Sequence, residues 1–264
     1  MIKQKLIDEA RKLAMNKDII TKFFDKYHHA VTKYKIKPNR TYNTNETGMR
    51  LDVGRGQWVI VSVDDEYSRF HYYLPTSGST EHITVIETIC GDGTVIAPIV
   101  ITKGVMIQAR WFADITCNDY AIGVSESGYS NDHLSFIWLQ HFNRLTKPEN
   151  SNEYRMLILD GYDSRFTVQF VRYCELHRII LFQLPPHTSH FLQPLDVTVF
   201  QQWKHWHAEA INHCIRHSIG EFNRLTFFSA LEDIRKVTFT KKVIQTGFRR
   251  YEYISYSPQR VLRE

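Results

Sequence analysis

The sequence predicts an α/β protein built on a mixed sheet flanked by helices, with helical extensions at both ends, and three observations predict it. Two β-rich runs are joined by Gly91-Asp92-Gly93, a hairpin signal. Two short buried strands with a helix between them then occupy Arg155 to Leu184, the spacing of a parallel β-α-β unit. Amphipathic helical patterns lie near the start of the chain and again after Pro194.

The elements follow in order. Ile20, Phe24, Tyr27, Val31 and Tyr34 recur at steps of three and four with lysines on the other face, so a helix is expected there, closed by Pro38. Strands are expected at 57–63, 70–74, 82–90 and 94–102, the last two forming the hairpin. Residues 130–145 read as a helix begun by Ser130 or Asp132, with Leu134, Trp138, Leu139 and Phe142 on one face. Arg155 to Leu159 is a continuous apolar strand stopped at Asp160-Gly161, a helix runs from about Thr167 to Leu176, and Ile179 to Leu184 is a second buried strand. After Pro185-Pro186 a loop reaches Pro194, and a long helix from Leu195 to about Ile219 ends at Gly220. There is no internal repeat, low-complexity tract or interdomain linker. The reading is a basic helical lead-in (1–40), one domain (41–220) and a basic C-terminal extension (221–264).

Composition narrows the function. With 43% hydrophobic and 23% charged residues among 264, the chain is of globular type, and at this length about three quarters of the unfolded surface can be buried. Four dispersed cysteines, Cys90, Cys117, Cys174 and Cys214, suit neither a disulfide framework nor a zinc knuckle. No apolar run approaches the roughly 18 residues of a spanning helix, and the charged opening is unlike a signal peptide, so an intracellular soluble protein is expected. The net charge of +5 is unevenly spread: residues 1–40 carry +7, residues 235–264 carry +6, and the centre carries −8. Basic flanks suit phosphate, and an acidic middle suits a cation.

Asp160 closes one buried strand and Asp196 opens a helix just beyond the neighbouring one, which brings two carboxylates together at the end of a sheet. Such a pair repels, and a divalent cation between them is one resolution. A turn aspartate and a helix-cap aspartate are the structural alternatives. The His-rich stretch with His205, His207, His213 and His217 lacks a glutamate between its i, i+4 pair and reads as a polar helix face, while Trp203 and Trp206 read as core.

Between the two aspartates stands the most specific string, LPPHTSHFLQPLD at Leu184 to Asp196, in which His187 and His190 are candidates for placing a phosphate or the Asp196 carboxylate. It resembles the third-acid block of the DDE superfamily endonuclease (transposase) domain of pogo/Tigger-type elements, a group to which centromere protein B is also similar. LILDG at Leu157 to Gly161 resembles the second-acid block, Glu81 to Gly104 the central hairpin, Ser127 to Trp138 the block after it, and YNTNETG at Tyr42 to Gly48 the first-acid block. The resemblance covers residues 10 to 250 or so.

It implies a ribonuclease H-like fold, nucleic acid binding, a nuclear location, and three acids holding two Mg²⁺ or Mn²⁺ ions that polarise a DNA phosphate, activate water or a 3′-hydroxyl, and stabilise the leaving oxygen. By position the second acid is Asp160 and the third Asp196, while the first falls on Asn45. Asparagine offers one neutral oxygen in place of a charged pair, so metal affinity and cleavage are both expected to drop. Glu46 adjoins it as a rescue candidate, but neighbours on a strand point to opposite faces. The segment after Asp160, Gly161-Tyr162-Asp163-Ser164-Arg165, also departs from the His-containing loop of the family. The expectation is a truncated, impaired transposase domain contacting DNA mainly through its backbone, with a domesticated non-enzymatic DNA- or chromatin-binding module as the alternative.

Overall fold

The computed structural model describes residues 16–51, 81–112, 120–160, 167–216, 222–250 and 253–254. Among these, six strands form one sheet and seven α-helices cover it. Helix α1 (Lys17–Tyr34) is capped by Asn16, whose side chain accepts from the Asp18 N–H, and it buries Ile20, Phe23, Phe24 and Tyr27. It ends where Lys35 turns left-handed (φ 52°), ahead of Pro38, and the Ile36 N–H returns to the Val31 carbonyl.

Strand β1 (Thr41–Arg50) follows, then β2 (His82–Cys90), β3 (Val95–Lys103), β4 (Ala121–Ser125), β5 (Arg155–Leu159) and β6 (Ile179–Gln183). Their spatial order is β4-β3-β2-β1-β5-β6. The triplet β1-β2-β3 is antiparallel; β1-β5, β5-β6 and β3-β4 are parallel. The hairpin, the 155–159 strand and the β-α-β unit therefore stand as the sequence predicts. The β2-β3 turn depends on Gly93 at φ 94°, a conformation L side chains resist. The strands expected at 57–63 and 70–74 lie outside the described residues.

Side chains alternate across the sheet. Met49, Ile83, Val85, Ile89, Met156 and Ile158 share one core with α1 and the helices α5 to α7 described below. On the other side Tyr42, Ile86, Leu157 and Leu159 pack with Leu134, Trp138, Leu139 and Phe142 of α2 (Asp132–Thr146) and with Phe170 and Cys174 of α3 (Val168–Leu176). The cap of α2 is Asn131 rather than Ser130 or Asp132, because only its side chain reaches the Leu134 N–H. Thr167 caps α3 in the same way. On this second face Arg155 is a buried cation held by the Asn143 amide oxygen, the Thr146 hydroxyl and the His177 carbonyl, oxygens near the C-terminal ends of α2 and α3 where helix dipoles are negative.

After β6 comes the short α4 (Ser189–Leu192), then a π-turn at Leu195–Val199, and only then α5 (Phe200–Arg216). The helix expected from Leu195 thus starts with a wider turn, the kind of irregularity that marks functional positions. Helices α6 (Arg224–Thr238) and α7 (Lys241–Arg250) complete the first core with Phe227, Phe228, Leu231, Ile234, Ile244 and Phe248. Gly247 of α7 meets the π-turn so closely that a Cβ there would lie 2.9 Å from Thr198 Oγ1 and 3.3 Å from Pro194 Cβ. Two expectations for α5 fail on burial. His207 is buried, stacked on Trp203, and burial pushes its imidazole down to about 4, so it is a neutral core residue and not part of a polar face. Trp206 is 44% exposed, pointing off the core that Trp203 fills. His217, the last of the histidines read as a polar face, lies outside the described residues. Cys90, Cys174 and Cys214 are free and buried.

Candidate metal and phosphoryl-transfer site

Strand pairing brings the site together. The parallel register sets Asn43 beside Ile158, and continuing it by two residues sets Asn45 abreast of Asp160 just past the end of β5. Both positions fall on the side of the sheet that Met49, Met156 and Ile158 occupy, toward the π-turn. Asp196, in that turn, accepts a hydrogen bond from Asn45 Nδ2 at 3.0 Å. Asp160 and Asp196 are both half-buried and close enough for their charges to repel.

Burial pushes the Asp196 carboxyl up to about 6; the Asp160 charge adds to the rise, while Lys204 and the Asn45 amide oppose it. Among the described residues, the cation whose charge acts on Asp196 is Lys204, and it is exposed. Asn45 points its nitrogen at Asp196 and its oxygen at the Glu46 N–H, 2.8 Å away. In effect an amide N–H donates to Asp196 from the position where the family resemblance expects a third carboxylate.

Glu46 goes elsewhere. Its carboxylate accepts from Ser130 Oγ at 2.8 Å, ahead of α2 on the opposite face. His187, at φ 62° in the loop after β6, and His190, in α4, are both exposed ahead of the turn. Asp163 and the rest of 161–166 lie outside the described residues.

Two buried amides that sequence reasoning did not single out hold the site. Asn43 Nδ2 donates to the Ile158 carbonyl (3.1 Å) and its Oδ1 accepts from the Leu195 N–H (3.0 Å); Gln193 Nε2 donates to the Thr44 carbonyl (3.1 Å). A polar residue two positions before Asn45, on the same inward face, was the available signal. A further tie runs from Tyr27 of α1 to the Tyr253 carbonyl and from the Tyr253 hydroxyl to the Leu192 carbonyl.

The donor set suits a hard divalent cation in part. Asp160 and Asp196 supply carboxylate oxygens, and Asn45 could add its amide oxygen only by rotating away from the Glu46 N–H. Among the described residues no group of three or more His, Cys, Asp or Glu could hold a metal. At this site the amide at position 45 leaves two such residues, Asp160 and Asp196.

Residues 80–248 match the family described as DDE superfamily endonuclease. A curated relative, the MFS-type transporter clz9 of Cochliobolus lunatus, is 29% identical over 230 residues, covering 87% of this chain and 25% of that protein. The chain thus spans about a quarter of that relative's length. Among the described residues no helix is long and apolar enough to cross a membrane. Solved structures of similar fold include a pre-cleavage Mos1 transpososome (TM-score 0.58, 11% identity, 99% of this chain, 66% of that one). The Mos1 mariner paired end complex with Mn (0.56, 12%, 99% and 64%) and the Mos1 transposase catalytic domain with Raltegravir and Mg (0.51, 12%, 98% and 94%) are also similar. At these identities the likeness is one of fold, and that fold is ribonuclease H-like.

Proposed function

We propose that this chain, which belongs to the DDE superfamily endonuclease family, is a transposase-type domain that binds DNA and acts on its phosphodiester backbone with Mg²⁺ or Mn²⁺. The observation that carries the proposal is the convergence of Asn45, Asp160 and Asp196 on one face of the sheet beside the end of β5, with Asn45 against Asp196 at 3.0 Å. Bound there, a divalent ion supplies charge that polarises a phosphate and makes a hydroxyl or water a better nucleophile. Asp160 and Asp196 provide the ligands, and Asp196 is ready for that role once ionised, above about pH 6.

Asn45 leaves the site one charge short, so cation affinity and turnover are lower than three acids would give. Exposed cations, among them Lys204 on α5 and Lys242 and Arg249 on α7, are suited to phosphate contacts that position DNA without reading its sequence. Binding is then sequence-tolerant and steeply salt-dependent. The pogo-like subtype and a nuclear location belong to the same proposal. The name of the transporter relative belongs to a protein of which this chain matches a quarter, and transport is not proposed here.

A second reading, a non-enzymatic DNA- or chromatin-binding module, is favoured by the Asn45 amide that already donates to Asp196. A nicking assay on supercoiled DNA with and without Mn²⁺ separates them. Metal-dependent turnover supports the enzyme, and salt-sensitive binding without cleavage supports the module.

A further inference from the structure

The third-acid turn has no cap of its own. Pro194 stands at its N-terminal boundary and offers no side-chain hydrogen bond, which would leave the Leu195 N–H among the orphan donors of a helical start. Asn43, 152 residues away in sequence, takes that N–H at 3.0 Å. Its other end holds the carbonyl of Ile158, two residues before Asp160. One wholly buried amide thus touches the backbone next to each of the two acids.

We propose that Asn43 is the positioning residue that sets the spacing of Asp160 and Asp196, with Gln193 as its second tie through the Thr44 carbonyl; this rests on the reading of the two acids as cation ligands. The chemistry of the side chain is selective. Aspartate keeps the acceptor but loses the donor to Ile158 and buries a charge, leucine keeps the volume and loses both bonds, and glutamine is one methylene too long for the gap. Together, Asn43, Thr44 and Asn45 bond Leu195, Gln193 and Asp196, so three consecutive residues of β1 fasten the segment that carries the third acid. Supports of this kind to metal ligands typically change affinity by about 10–100-fold when lost.

The test uses the full chain, with Mn²⁺ binding followed by EPR in the native sequence and in the Asn45→Asp background. Asn43→Ala is expected to weaken Mn²⁺ about 10–100-fold. Ile89→Ala, in the core but away from the site, serves as a control for lost stability and is expected to leave the Mn²⁺ Kd within about twofold, as distant sites act independently. Gln193→Met, which keeps the core filled, is expected to weaken Mn²⁺ by a smaller factor and stands in if Asn43→Ala does not fold. Hydrogen exchange without metal gives a second readout: protection of the Leu195 amide should fall in Asn43→Ala far more than that of amides in β2. Unchanged Mn²⁺ affinity in a folded Asn43→Ala or Gln193→Met protein overturns the proposal, and so does an equal loss in Ile89→Ala. If neither the native nor the Asn45→Asp protein binds Mn²⁺, the ligand reading fails. Hydrogen exchange then decides the tie by itself, with unchanged Leu195 protection overturning it.

Discussion

Two carboxylate sites lie one strand apart on the same face of the sheet. Glu87 stands directly opposite Asn45 in the β1-β2 register, at a bulge where β2 slips against β3. It is wholly buried, and both its oxygens are taken by Arg235 of α6 at 3.1 and 3.0 Å. Arg235 is held in turn by the Tyr120 hydroxyl and the Ile96 carbonyl and lies over the rings of Tyr120 and Phe239. Burial pushes the Glu87 carboxyl up, and the guanidinium opposes it. Asp196 has a like charge for a neighbour, a neutral amide for a partner and an exposed lysine for relief. A carboxylate whose charge is balanced inside the protein serves the fold. One without such a partner, on the same face beside the end of β5, is the one proposed to take a cation from solution.

The largest effect expected from this contrast is on stability. Arg235→Met strands the Glu87 charge and should cost about 3–5 kcal/mol in urea unfolding, and Glu87→Leu in the same chain should recover most of it. Asp196→Asn, by contrast, should leave metal-free stability unchanged or higher. A loss from Asp196→Asn as large as that from Arg235→Met would dissolve the distinction.

Metal binding sharpens the comparison next. Asn45→Asp restores a charge and an oxygen without changing side-chain size, so Mn²⁺ should bind at least about tenfold more tightly, worth about 1.4 kcal/mol, by calorimetric titration. Any metal-dependent nicking should rise with it. Asp160→Ala or Asp196→Ala added to Asn45→Asp should erase both gains. Should Asn45→Asp change neither readout, Glu46→Gln asks whether the carboxylate beside Ser130 carries any activity.

The pH response is smaller. The Asp196 carboxyl is raised in the folded protein from its ordinary 3.8 to about 6. Without metal, the stability it confers is therefore fully present below its unfolded value and is lost as pH rises through about 6. After allowance for partial solvent exposure the change is about 1–2 kcal/mol. Mn²⁺ affinity moves the other way, rising as the carboxylate ionises. Melting curves across that range should show the slope in the native chain and a flatter profile in Asp196→Asn. Smallest is Lys242→Gln: losing one phosphate contact should reduce the slope of log K against log salt for duplex DNA by about 0.9, at unchanged melting temperature.

Much of this architecture is legible in local sequence. The strand at Arg155–Leu159, the helix behind Thr167 and the hairpin around Gly93 follow from apolar runs, capping residues and turn chemistry, all of which act within a few residues. Asp160 is legible for the same reason, as a polar residue at the end of an apolar strand, and Asp196 as one at the start of a helical turn, whereas Asn45 is picked out only by the resemblance to the family's first-acid block. Other features depend on partners far along the chain. Strand β1 is rich in polar side chains and reads weakly as a strand, yet it lies inside the sheet because β2 and β5 flank it. His207 and Trp206 sit one residue apart, and only the packing of α5 against Phe222 and Phe227 decides which is buried. Glu87 finds Arg235 across 148 residues, and Asn43 finds Ile158 and Leu195 across 115 and 152. The sequence determined the elements and the acids at their ends because periodicity and turns are short-range. Tertiary structure decided which polar residues meet, because desolvation and hydrogen bonding in the interior depend on what the folded chain places beside each group.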